Sequence, residues 1–432
     1  MNRISRLTFF FILAVVAYII AAILTVSDNG FQNGTEDINM LYRGNVMVTR
    51  PSTMLQADET GRNNIASYLL LGGLFRIFGL RPFYYYAILL TLHVVVALFL
   101  ALFARGILGG LTGGAVAGLF FLILGVHFQT IGWIENLCRV SMTLFSLLAL
   151  MLFASFRKAP SAAKLCAVYG LWFVALNFTE EAFVFPMLVL AYDVLICRTN
   201  IFSRPFASNL FIYLPFVMIQ ALFFLFQFTL YGVAMRQYVT LQPHLMEKIV
   251  GIFWTLANLV VPRREALAVF MSGIPFLRVV LPFMFLAPLI YFFFRFGRPV
   301  IQERRFFSVA LFSVFWFVIA FSPYVLRPLE ISWKEYPHPR YLYCPMMGLS
   351  LLVGAFVQHW LKCALSLNPR SLRLAVCASM VVVGIYFYVL NVWTYCFMVE
   401  KLCAAGCRDV PADLSLSSAV VAGPEMSGNH GT

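Results

Sequence analysis

Residues 83–104 read FYYYAILLTLHVVVALFLALFA, 22 positions without a single Asp, Glu, Lys or Arg. A helix needs about 20 apolar residues to cross the hydrocarbon of a bilayer, so this stretch predicts a membrane span. Runs of the same kind lie at 7–26, 107–126, 136–156, 163–178, 182–197, 207–231, 275–296, 306–324, 341–361 and 374–397. Together they predict an all-α polytopic membrane protein with about 11 transmembrane helices. Composition agrees: 62% of the 432 residues are hydrophobic and 11% are charged, against about 25% charged in a soluble domain. That excludes a soluble globular domain, a disordered chain, a disulfide scaffold and a coiled coil. The spans occupy roughly half of the chain, so the loops between them are long enough to carry structure.

Charge gives the orientation. The segments predicted to face inward hold 15 of the 31 Lys and Arg but only two of the 18 acids, Asp193 and Glu303. Short loops with this bias face the cytoplasm, which places the N-terminus inside and the C-terminus outside. The net charge of +13 is spread among these connections rather than gathered into a patch, so nucleic acid is not a predicted partner. Leu7–Val26, preceded by Arg3 and Arg6, reads as an uncleaved signal anchor. Of the nine cysteines, only Cys403 and Cys407 are placed to pair on an oxidising side, and no Cys/His cluster has metal-ligand spacing.

Two outer loops are long, 27–82 and 232–274. Each carries a short apolar segment, Ile65–Leu80 and Ile249–Val261, expected to lie along the membrane surface as a helix. Residues 1–397 therefore read as one transmembrane domain, and 398–432 as a short outer tail whose end is disordered. There is no P-loop and no GxGxxG before a helix, so ATP-driven transport has no support.

Ionisable groups at the mouths of spans are the candidates for chemistry, because they are costly there. Glu36 and Asp37 follow the first span; the bland reading is two solvated acids on a polar loop, the functional one a base for an attacking hydroxyl. Asp58 and Glu59 compete for that role. His127 and Gln129 follow the third run, beside Trp133, which as an interface anchor needs no further role. Glu180 and Glu181 occupy a tight outer turn between two spans. In Trp333–Tyr343, the prolines at 337 and 339 favour extended backbone, holding His338 and Arg340 in a fixed relation near Lys334. Arg offers a fork of donors matched to phosphate oxygens; the alternative is a snorkelling Arg among belt aromatics. Arg263, flanking Ile249–Val261, is a further candidate. All lie on the outer side, as a surface reaction on a lipid phosphate requires. A secondary transporter would place its charges near mid-span instead.

At these stretches the chain resembles the GT-C glycosyltransferases, most of all the transmembrane and tetratricopeptide-repeat O-mannosyltransferases and their bacterial relatives. Phe78–Tyr85 followed by Leu92-His93 is similar to FGLNPFGYH…LLLH, and His127–Asn136 to HPxHxExVAWISG. Phe178–Pro186 with Tyr192-Asp193 is similar to SKExAxxxP…YD, and Arg340–Pro345 to ERYLYLP. The four stretches keep the family's order across residues 30–360. The resemblance implies sugar transfer from a polyprenyl- or dolichyl-phosphate donor to a glycan, lipid or protein acceptor. It implies Asp37 as base with Glu36 as its partner, Glu180 as the retained family acid, and Arg340 on the donor phosphate with His338 and Lys334 nearby. It implies no nucleotide site and no required cofactor, and a bacterial inner membrane with the site facing outward. Gln129 stands where the family has an acid, Leu137-Cys138-Arg139 where it has Arg-x-Asp, Thr179 where it has Lys, and Pro339 where it has Glu; the repeats are absent. The competing readings are transfer of a larger lipid-linked glycan, a lipid-linked-sugar transporter or flippase, and an inactive scaffold.

Overall fold

A computed structural model describes residues 31, 35–55, 64–124, 127–198, 206–231, 304–326 and 339–366. The expected anchor at 7–26, the runs at 275–296 and 374–397, the surface helix at 249–261 and the tail at 398–432 lie outside the described residues. So do Asp58, Glu59, Arg263, Lys334, His338, Cys403 and Cys407. The described residues are helical, with no strand among them. In chain order the helices are α1 Thr35–Thr49, α2 Ile65–Phe78, α3 Pro82–Leu108, α4 Leu111–Ile123, α5 Phe128–Gly132 and α6 Leu137–Lys158. They continue as α7 Ala162–Phe178, α8 Phe185–Leu195, α9 Phe206–Tyr231, α10 Arg304–Leu326 and α11 Pro345–Ser366. Short 3-10 turns occupy Pro51–Leu55, Ile134–Asn136, Glu180–Val184 and Pro339–Leu342.

Each apolar run within the described residues holds an α-helix. Three stretches, Pro82–Leu108, Ile134–Lys158 and Arg305–Pro323, are long and apolar enough to cross a membrane. The run at 107–126 is divided: its first residues finish α3, the chain turns at Gly109-Gly110, and α4 keeps 13 residues. The run at 182–197 yields only the 11 residues of α8, because Glu180–Val184 is a 3-10 turn. At about 1.5 Å per residue both helices fall short of a bilayer core.

The segment expected to be the first outer loop departs from expectation. Residues 35–49 form α1, where a polar loop was read. Asp37, Leu41, Gly44 and Met47 are its buried positions, and their spacing of four, three and three places them on one helical face. That face meets α2. A Cβ on Gly44 would stand 2.6 Å from Gly72 N and from Tyr68 O, so the two backbones touch where neither residue has a side chain. The apolar segment from Ile65 forms the helix α2.

The rest is a bundle in which α3 lies against α4 and α6, α6 against α7, α4 against α11, α11 against α10, and α10 against α8. Small residues set the α3–α4 approach: a Cβ on Gly114 would lie 2.6 Å from Ala101 O. The core is rich in large rings; Phe103, Tyr192, Phe312 and Trp316 pack in T-shaped and tilted pairs at centroid distances of 5.6 to 6.4 Å, and the aromatic quadrupole favours the T-shaped ones.

Polar contacts tie helix ends together at one end of the bundle. Arg157 Nε meets Asp193 Oδ1 at 2.6 Å, and Tyr213 donates to Asp193 Oδ2 at 2.5 Å. Arg305 Nε donates to Ile107 O at 3.1 Å, and Gln358 Nε2 to Leu108 O at 3.1 Å. Asp193 is one of the two acids in the segments predicted to face inward, and Arg157 and Arg305 are among the 15 cations there. The ends of α6 and α8 that carry the Arg157–Asp193 pair point away from the site described next.

Candidate functional site

At the opposite end, four segments far apart in sequence converge. The start of α1 brings Asp37, the 3-10 turn at 134–136 brings Glu135 and Asn136, and α6 begins with Arg139 in its first turn. The 3-10 turn at 180–184 brings Glu181, and Pro339–Leu342 brings Arg340 and Tyr341.

Asp37 is fully buried. Its Oδ1 accepts the backbone N–H of Glu135 at 3.2 Å, so a main-chain dipole helps hold the carboxylate in place. The Glu135 side chain extends to Arg340, whose Nη1 donates to Glu135 Oε2 at 3.2 Å. One residue therefore links the two sequence candidates, Asp37 through its backbone and Arg340 through its carboxylate. The Arg340 guanidinium lies over Trp133 at 4.9 Å and Tyr341 at 5.3 Å. These ring faces fix the plane of the fork by cation–π attraction. Trp133, read from sequence as an interface anchor, supports Arg340.

Beside this pair stands a second one. Arg139 Nε donates to Glu181 Oε2 at 3.1 Å and Nη2 to Oε1 at 2.7 Å, while Nη1 donates to Asn136 Oδ1 at 2.7 Å. The bidentate fork is the strong form of this contact. It is also buried, with Arg139 11% and Glu181 5% exposed. Arg139 lies over Tyr341 at 5.0 Å, so both guanidiniums rest against the same ring. The turn holding Glu181 is anchored from two sides. Trp172 Nε1 donates to Ala182 O at 2.9 Å, and Ser67 of α2 donates to Phe178 O at 2.6 Å. Because α2 carries α1 on its other side, the Asp37 helix and the Glu181 turn share one support.

Below the charges lies a buried aromatic box. Tyr343 and His93 Nδ1 are 2.8 Å apart, and His93 Nε2 is 3.2 Å from Leu122 O. A carbonyl only accepts, so Nε2 carries the proton and Tyr343 donates to Nδ1. His127 sits against Phe121, Tyr343 and His93 at centroid distances of 4.6, 4.8 and 5.3 Å. Both its ring nitrogens lack a hydrogen-bond partner among the described residues, as does the hydroxyl of buried Thr130. Burial holds the His127 pKa well below the usual histidine value, and repulsion from His93 adds to the effect.

The sequence candidates thus fall at different places. Asp37 and Arg340 are brought together through Glu135, with Glu36 in the same first turn of α1 as Asp37. His127 belongs to the box below, and Gln129 lies in α5. Glu180, half-buried, opens the turn in which its neighbour Glu181 takes Arg139. Pro339 begins a 3-10 turn instead of extended backbone, since a ring-fixed φ also suits the first helical position. Glu181 was a sequence candidate together with Glu180, but its pairing with Arg139 and the linking role of Glu135 were not read from sequence. The available signal was a cation at the start of an apolar run, which has to find an acid. Among the described residues, no three His, Cys, Asp or Glu gather as a metal would require. Comparison with protein-family models finds no match, and comparison with curated proteins finds none either.

Proposed function

We propose that the protein is a glycosyltransferase that moves a sugar from a polyprenyl-phosphate donor to an acceptor hydroxyl at the outer face of a membrane. In this reading the chain is a GT-C-like protein of about 11 spans in a bacterial inner membrane, with its N-terminus cytoplasmic and the Asp37–Arg340 site outside. One observation carries it: a buried carboxylate and an aromatic-clamped arginine, 303 positions apart in sequence, meet on either side of Glu135. A single-displacement transfer needs a base beside a phosphate ligand.

The reaction divides between these groups. The acceptor oxygen attacks the anomeric carbon as Asp37 takes the hydroxyl proton. The bond from the anomeric carbon to the phosphate oxygen breaks, and the polyprenyl phosphate leaves with the electron pair. Arg340 neutralises the charge that develops on that phosphate. Inversion at the anomeric carbon follows from one displacement. The donor carries its own activation, so no nucleotide is consumed. The Arg139–Glu181 pair is the rigid wall against which Tyr341 and Arg340 are set.

The test is a panel of radiolabelled polyprenyl-phosphate sugars offered to the purified protein in lipid nanodiscs, with wild type beside Arg340→Lys. The expected result is labelled product with at least one donor, and a strong loss in the lysine variant, which keeps the charge but not the fork. Tight donor binding with no turnover on any donor would replace this reading with transport of a lipid-linked sugar.

A further inference from the structure

The two arginine–carboxylate pairs of the site differ in what governs exchange. Arg139 holds Glu181 by two parallel bonds, with the Glu181 side chain 5% exposed. Glu135 reaches Arg340 through one oxygen at 3.2 Å, and its side chain is 34% exposed. Its second oxygen has no protein partner among the described residues. A half-solvated carboxylate held end-on loses little by turning into water, because exposed ion pairs contribute little. Arg340 itself does not need to move, since Trp133 and Tyr341 hold its plane. The backbone bond from Glu135 to Asp37 also survives, since rotating a side chain leaves the N–H where it is.

A carboxylate on a guanidinium occupies the positions that phosphate oxygens would take, with the same sign of charge. We propose that Glu135 is a built-in, displaceable stand-in for the donor's phosphate: it occupies the Nη1 position of the Arg340 fork when the site is empty and yields it when a lipid phosphate enters. The proposal rests on the reading of Arg340 as the phosphate ligand, and gives Glu135 a positioning and gating role rather than a catalytic one. It explains why an arginine aimed at an anionic substrate is already paired. Unpaired, it would be a poorly solvated cation at a membrane mouth. It also sets a threshold: a neutral lipid of the same shape cannot compete for the fork, whereas a phosphate can.

The experiment is binding of farnesyl phosphate, a short polyprenyl phosphate, to the full-length protein in detergent, with farnesol as the uncharged control. Wild type is compared with Glu135→Gln, Glu135→Ala and Arg340→Gln. Removing the internal competitor should tighten farnesyl phosphate about two- to fivefold in both Glu135 variants, the scale of one exposed ion pair. Farnesol binding should not change. A tightening cannot come from a damaged fold, so the result separates gating from a structural role. Unchanged or weaker binding in both Glu135 variants, with loss in Arg340→Gln, would overturn the gate and leave the phosphate reading standing. Wild-type affinity in Arg340→Gln would overturn the phosphate reading itself, and the gate with it.

Discussion

Glu181 and Arg139 show what one residue can cost at this site. Each is nearly buried and satisfied by the other, so Arg139→Met leaves a carboxylate desolvated without its partner. Breaking one side of such a pair costs about 3–5 kcal/mol. Arg139→Met is therefore expected to lower the unfolding midpoint in detergent sharply. Adding Glu181→Leu should recover much of the loss, since a buried pair exchanged for apolar side chains is often close to neutral. Equal melting of the single and double variants would remove the pair from the account of stability. His127 gives a second prediction at this scale. Its folded pKa lies well below the unfolded value of about 6.5, so below that pH the unfolded chain binds a proton that the folded chain does not. Stability contributed by neutral His127 is thus present above pH 6.5 and lost as pH falls toward the folded pKa, by at most about 1.4 kcal/mol per pH unit. Between pH 7 and 5 the melting temperature should fall less in His127→Phe than in wild type. Identical slopes would show that His127 is not buried neutral.

At the scale of elements, α1 is where sequence reading and structure part. Its face of Asp37, Leu41, Gly44 and Met47 is legible as a helical stripe, but only if an acid is allowed on the buried side. Polar neighbours such as Glu36, Asn39 and Asn45 make the segment read as a loop. What makes it a helix in place is a partner that periodicity alone does not name, the glycine-lined face of α2. This contact is testable with two adjacent glycines. A Cβ on Gly72 would collide with the backbone of Gly44–Asn45, whereas one on Gly73 meets nothing within 4 Å. Gly72→Ala should push α1 off its seat at a cost of about 1–3 kcal/mol and lower transfer, because α1 carries Asp37. Gly73→Ala should be neutral or stabilising by up to about 1 kcal/mol, from helix propensity. Comparable losses of activity in the two variants would contradict the seat assigned to α1. The long apolar helices were easier to read: the 22 uncharged residues from Phe83 make up most of α3. The short helices α4 and α8 were less so, because hydropathy does not register a glycine turn or a 3-10 turn inside an apolar run.

At the scale of the molecule, the described residues form a helical bundle with different chemistry at its two ends. One end is closed by Arg157–Asp193–Tyr213 and by Arg305 and Gln358 capping the end of α3. The other gathers Asp37, Glu135, Arg139, Glu181 and Arg340 around Trp133 and Tyr341. Asp37 and Arg340 stood out in sequence as an acid and a cation beside apolar runs, and the roles proposed for them come from the resemblance to GT-C enzymes. Their meeting through Glu135 did not stand out, since it depends on contacts spanning 98 and 205 positions, which no local pattern encodes. The claim on which the functional account turns is that Asp37 removes the acceptor's proton. The measurement that tests it most directly is single-turnover sugar transfer by wild type and Asp37→Asn, with farnesyl phosphate affinity determined on the same samples. The account predicts transfer slowed by about 10²- to 10⁴-fold, with phosphate affinity within a factor of a few of wild type. Transfer at the wild-type rate in a folded Asp37→Asn protein would contradict it and move the base to another carboxylate of the site.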